Sequence, residues 1–250
     1  MPEEDFSYIG QELAIFADAR VWKAYWASYI APLVAAGRVL EVGAGIGANT
    51  SVLYHPDIAG WTCLEPDPKL AARLRAMVDG SSTYAKCAVR CGTLDTLGRD
   101  ERFDAILYLD VLEHIAGDQA ELDSASTHLV GGGVLVVLAP AHQWLFSPFD
   151  TAIGHFRRYD RRTLTAAVPA HLQCERLTYL DSVGLLASVA NRYLLGDAHP
   201  SRRQIILWDR VLVRCSLLLD ALCRHKIGKS LLGVWRKGAS PSSTKPLNAT

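Results

Sequence analysis

The sequence predicts an α/β fold in which a mainly parallel sheet carries helices on both faces. Short apolar strands alternate with helices across 38–140, and a glycine-rich turn follows the first strand. An unbroken apolar run at 103–109 indicates a strand that is buried on both faces. Strands that alternate with helices at this spacing imply right-handed crossovers and therefore parallel pairing.

The N-terminal part supplies a helix and five strands. Aromatic residues recur at helical spacing within 11–36, and Gly37 ends this predicted helix. Strands are predicted at 38–42, 61–65, 85–90, 103–109 and 134–139. Helices from about Asn49, from Pro68 to near Gly80 and over 117–130 fill the connections. The βα alternation is therefore complete before residue 140.

The pattern changes after Pro140. An irregular connection rich in aromatic and basic residues leads to a helix at 163–168 and a strand at 173–180. Two helices, at 182–195 and 204–223, precede a last strand at 230–235. The end of the chain is rich in Ser and Pro and has too little apolar content to fold.

Composition limits the compartment and the partners. A hydrophobic content of 50% over 250 residues permits one sizeable core. The formal net charge is +0, yet most basic residues lie after residue 150 and most acidic ones before it. The six cysteines form no CxxC pair, so we expect a reducing compartment and no metal site. The acidic N-terminus is no secretory signal, and we expect a cytoplasmic protein with at most peripheral membrane attachment.

The glycine-rich turn indicates a nucleoside cofactor. Gly43, Gly45 and Gly47 would let the backbone approach the cofactor closely. Glu65 follows Gly45 by about 20 residues, the spacing of a carboxylate that accepts hydrogen bonds from a ribose diol. Glu65 could instead cap the helix after Pro66. The turn alone is also typical of NAD-binding proteins, but Ala48 stands where GxGxxG has its third glycine, which weakens that interpretation.

Four segments resemble the motifs of class I S-adenosylmethionine-dependent methyltransferases, in the order of that family. They are VLEVGAGIG at 39–47, LEPDP at 64–68, FDAILYLDVLEH at 103–114 and GGGVLVV at 131–137. The resemblance implies a Rossmann-like, seven-stranded sheet with an antiparallel last strand. It also implies S-adenosylmethionine (SAM) as the methyl donor and S-adenosylhomocysteine (SAH) as the product.

The chain is predicted to divide into three functional segments. They are a helical lid at 1–37, which carries the aromatic residues of the first helix, a SAM-binding domain at 38–237, and a disordered tail at 238–250. Within the domain, 141–162 is the predicted acceptor loop. The helices of 182–226 are an insertion between the last two strands, where the family's ordinary fold has a short hairpin.

The resemblance also assigns cofactor contacts. The predicted contact residues are Glu41, Gly43, Gly45, Glu65, Pro66, Thr93, Leu94 and Asp110. Glu41 would help to hold the methionine amino group, Glu65 would take the ribose diol, and Asp110 would lie near the methionine portion. Thr93 and Leu94 would flank the adenine, although Leu94 could equally belong to the core.

Two histidines are candidate bases for methyl transfer to a hydroxyl group. His114 follows the fourth strand, and His155 lies in the connection after the fifth, so both are expected at the carboxyl edge of the sheet. The alternative for His114 is a helix-capping or solvated residue. The surrounding GHFRRYD segment resembles one found in bacterial methyltransferases of sugar, lipid and natural-product pathways.

These features predict O-methylation of a sugar, isoprenoid, lipid-linked or natural-product intermediate in biosynthesis. The alternatives are N- or C-methylation, another nucleotide-dependent reaction, or a catalytically silent SAM-binding scaffold. Arg157, Arg158 and Tyr159 are predicted to bind the acceptor, and an anionic group on the acceptor would strengthen this binding. The arginines could instead pair with Asp150 and Asp160. Tyr25 of the lid is a further predicted acceptor contact, unless its aromatic neighbours form a purely structural seam.

The insertion suggests a partner. Its second helix carries Arg202, Arg203, Arg210 and Arg214 beside an apolar stripe, which is compatible with peripheral contact to anionic lipid. Such a stripe also packs commonly on the domain itself or in a homodimer. The basic region matches no nucleic-acid-binding module, so we expect no nucleic-acid partner.

Overall fold

A seven-stranded sheet forms the centre of the computed structural model, which describes residues 17–190, 192 and 201–239. The strands are β1 Arg38–Val42, β2 Gly60–Glu65, β3 Cys87–Cys91, β4 Phe103–Leu109, β5 Leu129–Pro140, β6 Leu172–Leu180 and β7 Ser230–Lys237. Their order is β3-β2-β1-β4-β5-β7-β6, in which the first five strands pair in parallel. β7 is antiparallel to both β5 and β6. The predicted mainly parallel, seven-stranded sheet is therefore confirmed.

Helices cover both faces of this sheet. They are α1 Arg20–Val34, α2 Thr50–Leu53, α3 Pro68–Asp79, α4 Asp118–Thr127, α5 Pro148–Ala152, α6 Arg161–Ala167, α7 Ser182–Ala190, α8 Arg202–Leu207 and α9 Val213–Leu222. One core joins the sheet to α1, α3 and α9, and a second joins it to α4 and α6. None of the helices in this described part combines the length and hydropathy that a membrane-spanning helix needs.

Most predicted strands lie close to the observed ones, but β5 begins earlier than predicted. The glycines that were expected to stop the preceding helix lie inside β5. The register between β4 and β5 shifts between Phe103 and Ala105, and a Cβ on Gly133 would lie 3.1 Å from the carbonyl oxygen of Asp104. Glycine therefore permits a close backbone approach at an irregular strand pairing, which a helix-stop rule cannot anticipate.

The other departures concern helices. The helix predicted from about Asn49 is a single turn, because Pro56 follows and disfavours a helical conformation in the residue before it. A π-helical turn, Trp208–Leu212, joins α8 to α9 inside the predicted second helix of the insertion. Parts of the predicted lid, of the insertion and of the tail, at 1–16, 193–200 and 240–250, lie outside the described residues.

Helix α1 is held by the insertion. Asp209 accepts hydrogen bonds from the backbone N–H groups of Trp22 (2.8 Å) and Val21 (3.3 Å), which caps the start of the helix with a side chain distant in sequence. The rings of Trp22 and Trp208 lie 5.9 Å apart. The position of α1 over the sheet thus depends on the helices that precede β7.

We expect Trp235→Ala to reduce the free energy of unfolding by about 3–5 kcal/mol, since it empties a fully packed indole site in β7. Trp235 is 1% exposed and its ring covers Gly233. Urea denaturation with an unchanged m value measures the loss. Trp144→Ala is the matched control, because Trp144 is 50% exposed and its removal should cost little. Equal losses in the two variants would contradict this account of the core.

Candidate cofactor and acceptor site

The glycine turn after β1 requires glycine for two separate reasons. Gly43, Gly45 and Gly47 have φ values of 67°, 57° and 81°, in the left-handed region that other residues avoid. A Cβ on Gly43 would also lie 2.7 Å from the methyl carbons of Val111, which follows β4. The turn is therefore packed against the end of the neighbouring strand, at the edge where parallel α/β sheets bind ligands.

Glu65, at the end of β2, is bound to this turn. Its Oε2 accepts the N–H of Gly45 at 2.7 Å, and its Oε1 accepts the N–H of Asp67 at 2.9 Å. Burial raises the pKa of Glu65, while these two backbone donors oppose the rise. Helix α3 is capped by Asp67, which accepts the N–H groups of Lys69 and Leu70. The carboxylate of Glu65 thus lies against the glycine turn, and its contact with a ribose stays a prediction.

Glu41 is a buried carboxylate, and only one of its two oxygens accepts hydrogen bonds from the described residues. Its Oε2 accepts hydrogen bonds from the Thr50 hydroxyl (2.6 Å) and the Trp61 indole N–H (3.0 Å). Its Oε1 has no hydrogen-bond partner among the described residues. Burial raises the pKa of Glu41 to about 7. An ammonium group would satisfy the remaining oxygen and favour the ionised form, so the residue fits the predicted contact with a methionine amino group.

Lys23 of α1 is a site residue that the sequence did not reveal. Only 9% of it is exposed, and its Nζ donates to the Asn49 side-chain oxygen at 3.1 Å. Burial lowers the pKa of Lys23, whereas the nearby carboxylates of Asp110 and Glu41 raise it. The available signal was a single charged residue in the apolar, aromatic segment 21–30. Helix α1 therefore places a cation among the carboxylates of the cofactor site.

Asp110 lies just after β4, between the cofactor side and the acceptor side. Its φ is 56°, and its N–H donates to the Leu138 carbonyl at 2.8 Å. Asp110 is exposed by surface area, yet desolvation by the surrounding protein raises its pKa to about 6 against the opposing charges of Lys23, His155 and Lys229. Asp110 is thus the carboxylate that both halves of the site share.

The predicted adenine contacts lie beside Glu65. The N–H of Gly92 donates to the Glu65 carbonyl at 3.0 Å, which fixes the turn after β3 at the end of β2. Thr93 is half-buried in this turn, as is Pro66 after β2. Leu94 is 4% exposed and packs in the second core. Their contact with adenine stays a prediction.

On the acceptor side, Asp150 organises His155. Asp150 is fully buried and accepts hydrogen bonds from His155 Nδ1 (3.0 Å), Arg158 Nε (2.8 Å) and Arg158 Nη2 (3.0 Å). Although burial acts to raise it, these donors hold the pKa of Asp150 well below its usual range. An ionised carboxylate only accepts hydrogen bonds, so the Nδ1 of His155 carries a proton. The Nε2 of neutral His155 is then the basic nitrogen.

Glu113 and His114 complete this cluster. The Nε2 of His155 lies 3.8 Å from Oε1 of Glu113, and the His114 ring meets the His155 ring edge-on at 4.5 Å. Burial raises the pKa of Glu113 well above its usual value and lowers the pKa of His114 to about 4. His114 is therefore uncharged at neutral pH, and burial favours the protonated form of Glu113.

The same three side chains form the one group of potential metal ligands in the part of the chain that the structure describes. Ligand atoms of Glu113, His114 and His155 lie within 4.8 Å of one another. An ion about 2.1 Å from each ligand would need them within about 4.2 Å of one another, so the side chains would have to close further. The expectation of no metal stays a prediction.

The predicted acceptor-binding residues are engaged inside the protein. Arg157 pairs with Asp118 at 2.8 Å, and Arg158 pairs with Asp150, which is the pairing that the sequence left open. Tyr159 is 1% exposed, and its hydroxyl donates to Asp118 at 2.8 Å. An anionic acceptor would have to compete with these ion pairs. Acceptor binding by these residues stays a prediction.

Tyr25 is buried on α1. Its hydroxyl donates to Oδ2 of Asp220 at 2.7 Å, and Asp220 also accepts the N–H groups of Asp181 and Ser182. The residue therefore helps to join α1 to the insertion, whereas its contact with an acceptor stays a prediction.

We expect Glu65→Gln to weaken SAH binding about 10- to 100-fold, because a neutral amide loses charge-assisted hydrogen bonds to a diol. Calorimetric titration with SAH measures the change. Asp57→Asn is a matched control, since the side chain of Asp57 is 84% exposed in a surface loop. Unaltered SAH affinity in Glu65→Gln would contradict the assigned role.

The raised pKa of Glu41 predicts a pH dependence of stability. Between pH 4.5 and 7 the folded protein holds a proton on Glu41 that the unfolded chain has released, so stability falls as pH rises through this window. Across it, we expect the free energy of unfolding of the parent protein to fall by about 3 kcal/mol more than that of Glu41→Gln. Urea denaturation at both ends of the window tests this, and parallel pH curves would count against it.

Comparison with known proteins identifies the family. A family model described as a methyltransferase domain matches residues 17–182. The ubiquinone biosynthesis O-methyltransferase of Nitrobacter winogradskyi is 28% identical over 108 residues, which are 43% of this chain and 40% of that protein. The protein of the same name from Rhodopseudomonas palustris is 26% identical over 108 residues, 43% of this chain and 41% of that protein. The match thus spans less than half the length of these relatives.

Solved structures share the fold. The N-methyltransferase NodS of Bradyrhizobium japonicum, in complex with SAH, aligns over 94% of both chains with a TM-score of 0.57 and 15% identity. The YcgJ protein of Bacillus subtilis aligns over 88% of this chain and 99% of its own with a TM-score of 0.57 and 14% identity. The chain belongs to the methyltransferase-domain family, as its motifs predict, and has the class I fold of SAM-dependent methyltransferases.

Proposed function

We propose that this chain transfers the methyl group of SAM to a hydroxyl oxygen of a small-molecule acceptor in biosynthesis. The observation that carries the proposal is His155, held by ionised Asp150 at the carboxyl edge of the sheet, with a basic nitrogen close to Asp110. Membership of the family supports SAM as the donor, as does the SAH complex of NodS. The names of the relatives from Nitrobacter and Rhodopseudomonas support oxygen as the methylated atom.

The cofactor side holds the donor by charge. When bound, SAM supplies an electrophilic methyl group on a positively charged sulfur atom. Glu65 takes the ribose diol, and Oε1 of Glu41, which has no hydrogen-bond partner in the described part of the chain, takes the methionine amino group. Lys23 faces both Glu41 and Asp110, where its ammonium group suits the methionine carboxylate. Pro66, Thr93 and Leu94 line the adenine.

The acceptor side removes a proton. With SAM bound, the methyl carbon would be transferred from sulfur to the hydroxyl oxygen, which breaks the carbon–sulfur bond and leaves SAH. Nε2 of His155 would take the hydroxyl proton, and Asp150 would stabilise the imidazolium that results. The proton then passes to solvent. His114 limits rotation of the His155 ring by packing edge-on against it, and the raised pKa of Glu113 disfavours a competing negative charge beside His155. Alignment and exclusion of water supply the rest of the acceleration.

Two segments shape the space for the acceptor. The loop 141–162 carries His155 and is fixed to the end of β4 by the Phe156 N–H, which donates to the Glu113 carbonyl at 2.8 Å. Helix α1 covers the cofactor side through Lys23 and acts as the lid. These roles extend the division of the chain into a lid, a SAM-binding domain and an acceptor loop.

The activity is tested by incubating the protein with SAM and a panel of hydroxylated small molecules. Mass spectrometry should detect acceptors that gain the mass of one methylene unit, together with equimolar SAH. Methylation of amines or carbon atoms alone would replace O-methylation by the alternative reactions. SAH binding without turnover on any acceptor would leave a SAM-binding scaffold.

We expect His155→Asn to lower kcat about 100- to 10,000-fold, because the base is lost while an amide can still hydrogen-bond to Asp150. The SAH dissociation constant should stay unchanged, which separates chemistry from binding. His171→Asn, at an exposed position after α6, is the control and should keep full activity. A kcat within about twofold of the parent value in His155→Asn would remove His155 from the mechanism.

A further inference from the structure

We propose that the insertion binds an anionic phospholipid surface through its outer surface, defined as the exposed side chains of α8, the π-helical turn and α9. Binding there would give the active site access to hydroxyl-bearing acceptors that reside in the lipid. Access of the active site to such acceptors rests on the proposed function, whereas the docking surface itself is supported by exposure and charge.

Large apolar side chains project from the outer surface. Leu218 and Leu222 are 77% and 79% exposed, and they are adjacent on α9 because they stand four residues apart. Leu207 and Val211 are 56% and 47% exposed. Leu186 of α7 is also 62% exposed. Apolar side chains grouped in this way mark a surface that another molecule covers.

The charge of the outer surface has one sign. Arg203, Arg210 and Arg214 are exposed, and Arg214 lies one turn before Leu218 on α9. The acidic residues of 201–226, Asp209 and Asp220, are buried. They are used internally, Asp209 to cap α1 and Asp220 to bind Tyr25 and the start of α7. Within 201–226 the surface therefore offers cations and apolar groups, while the exposed carboxylate of Asp18, just before α1, pairs with Arg202 at 3.4 Å.

This combination fits an anionic membrane better than a second copy of the chain. A twofold-symmetric dimer through the outer surface would bring Arg203, Arg210 and Arg214 together with their copies, and the two acidic residues of 201–226 are buried and cannot pair with them. A bilayer with anionic headgroups supplies negative charge and an apolar layer at the same face. The contact is peripheral, since within the described ranges no helix can span a membrane.

The outer surface is coupled to the site through buried contacts. The Trp208 indole N–H donates to Asp181 at 2.7 Å, and Nζ of Lys229 lies 4.8 Å from the centre of the Trp208 ring. Lys229 is in turn close enough to Asp110 to influence its pKa. The membrane-facing helices thus adjoin the acceptor side, which suits an acceptor whose hydroxyl lies at the headgroup level.

Vesicle flotation of the full chain tests the surface. We expect the protein to float with phosphatidylcholine vesicles that contain phosphatidylglycerol, to float less at high salt and to stay behind with phosphatidylcholine alone. Arg210→Glu/Arg214→Glu should reduce the bound fraction at least about tenfold, and Leu218→Ser/Leu222→Ser should also reduce it. The matched control, Arg73→Glu/Arg99→Glu, changes net charge equally at exposed positions elsewhere and should float normally.

Three outcomes would overturn the proposal. They are absence of flotation at low salt, equal loss in the matched control, and a dimer that Leu218→Ser/Leu222→Ser dissociates without changing flotation. An unchanged SAH dissociation constant in each variant shows that the fold is intact. Flotation of a protein that methylates no hydroxyl would reject the proposed function alone and leave the docking surface standing.

Discussion

The site depends on how carboxylates are partnered at one edge of a parallel sheet. Because β1, β2 and β4 run in the same direction, Glu41, Glu65 and Asp110 come together at their ends, where burial raises the pKa of each. The chain offsets this cost only in part. Glu65 has two backbone donors, Lys23 lies near the other two, and one oxygen of Glu41 has no partner among the described residues. In the proposed function, a cationic, hydroxyl-rich cofactor would complete these interactions.

On the acceptor side, a buried carboxylate is stabilised in its ionised form by hydrogen-bond donors. Asp150 is as deeply buried as Glu41, yet its pKa is held low because Arg158 and His155 both donate to it. Glu113 has no comparable side-chain donors among the described residues, and burial raises its pKa well above the usual value. One carboxylate thus stays ionised beside a histidine, while burial favours the protonated form of its neighbour. The difference in hydrogen bonding, and not in burial, separates their behaviour.

The insertion connects these two halves to the surface of the molecule. Its aspartates are directed inward, where Asp209 caps α1 and Asp220 binds Tyr25, so the helix that carries Lys23 is positioned by residues nearly 200 positions away. The same inward use of aspartates leaves arginines and leucines outside. A single arrangement therefore stabilises α1 and produces the cationic, apolar outer surface.

The sequence by itself determined the strand and helix alternation, the glycine turn and the family, because local periodicity or a short motif predicts each of them. The spacing of Gly45 and Glu65 predicted a ribose contact for Glu65, and the structure adds a hydrogen bond between these two residues that the spacing did not predict. Only the tertiary structure placed Lys23 beside Asp110, paired Arg158 with Asp150 and continued β5 through its glycines. Those features depend on which side chains and backbones from separate elements come into contact. A local sequence pattern predicts whether a residue is buried, but not which residue it will contact.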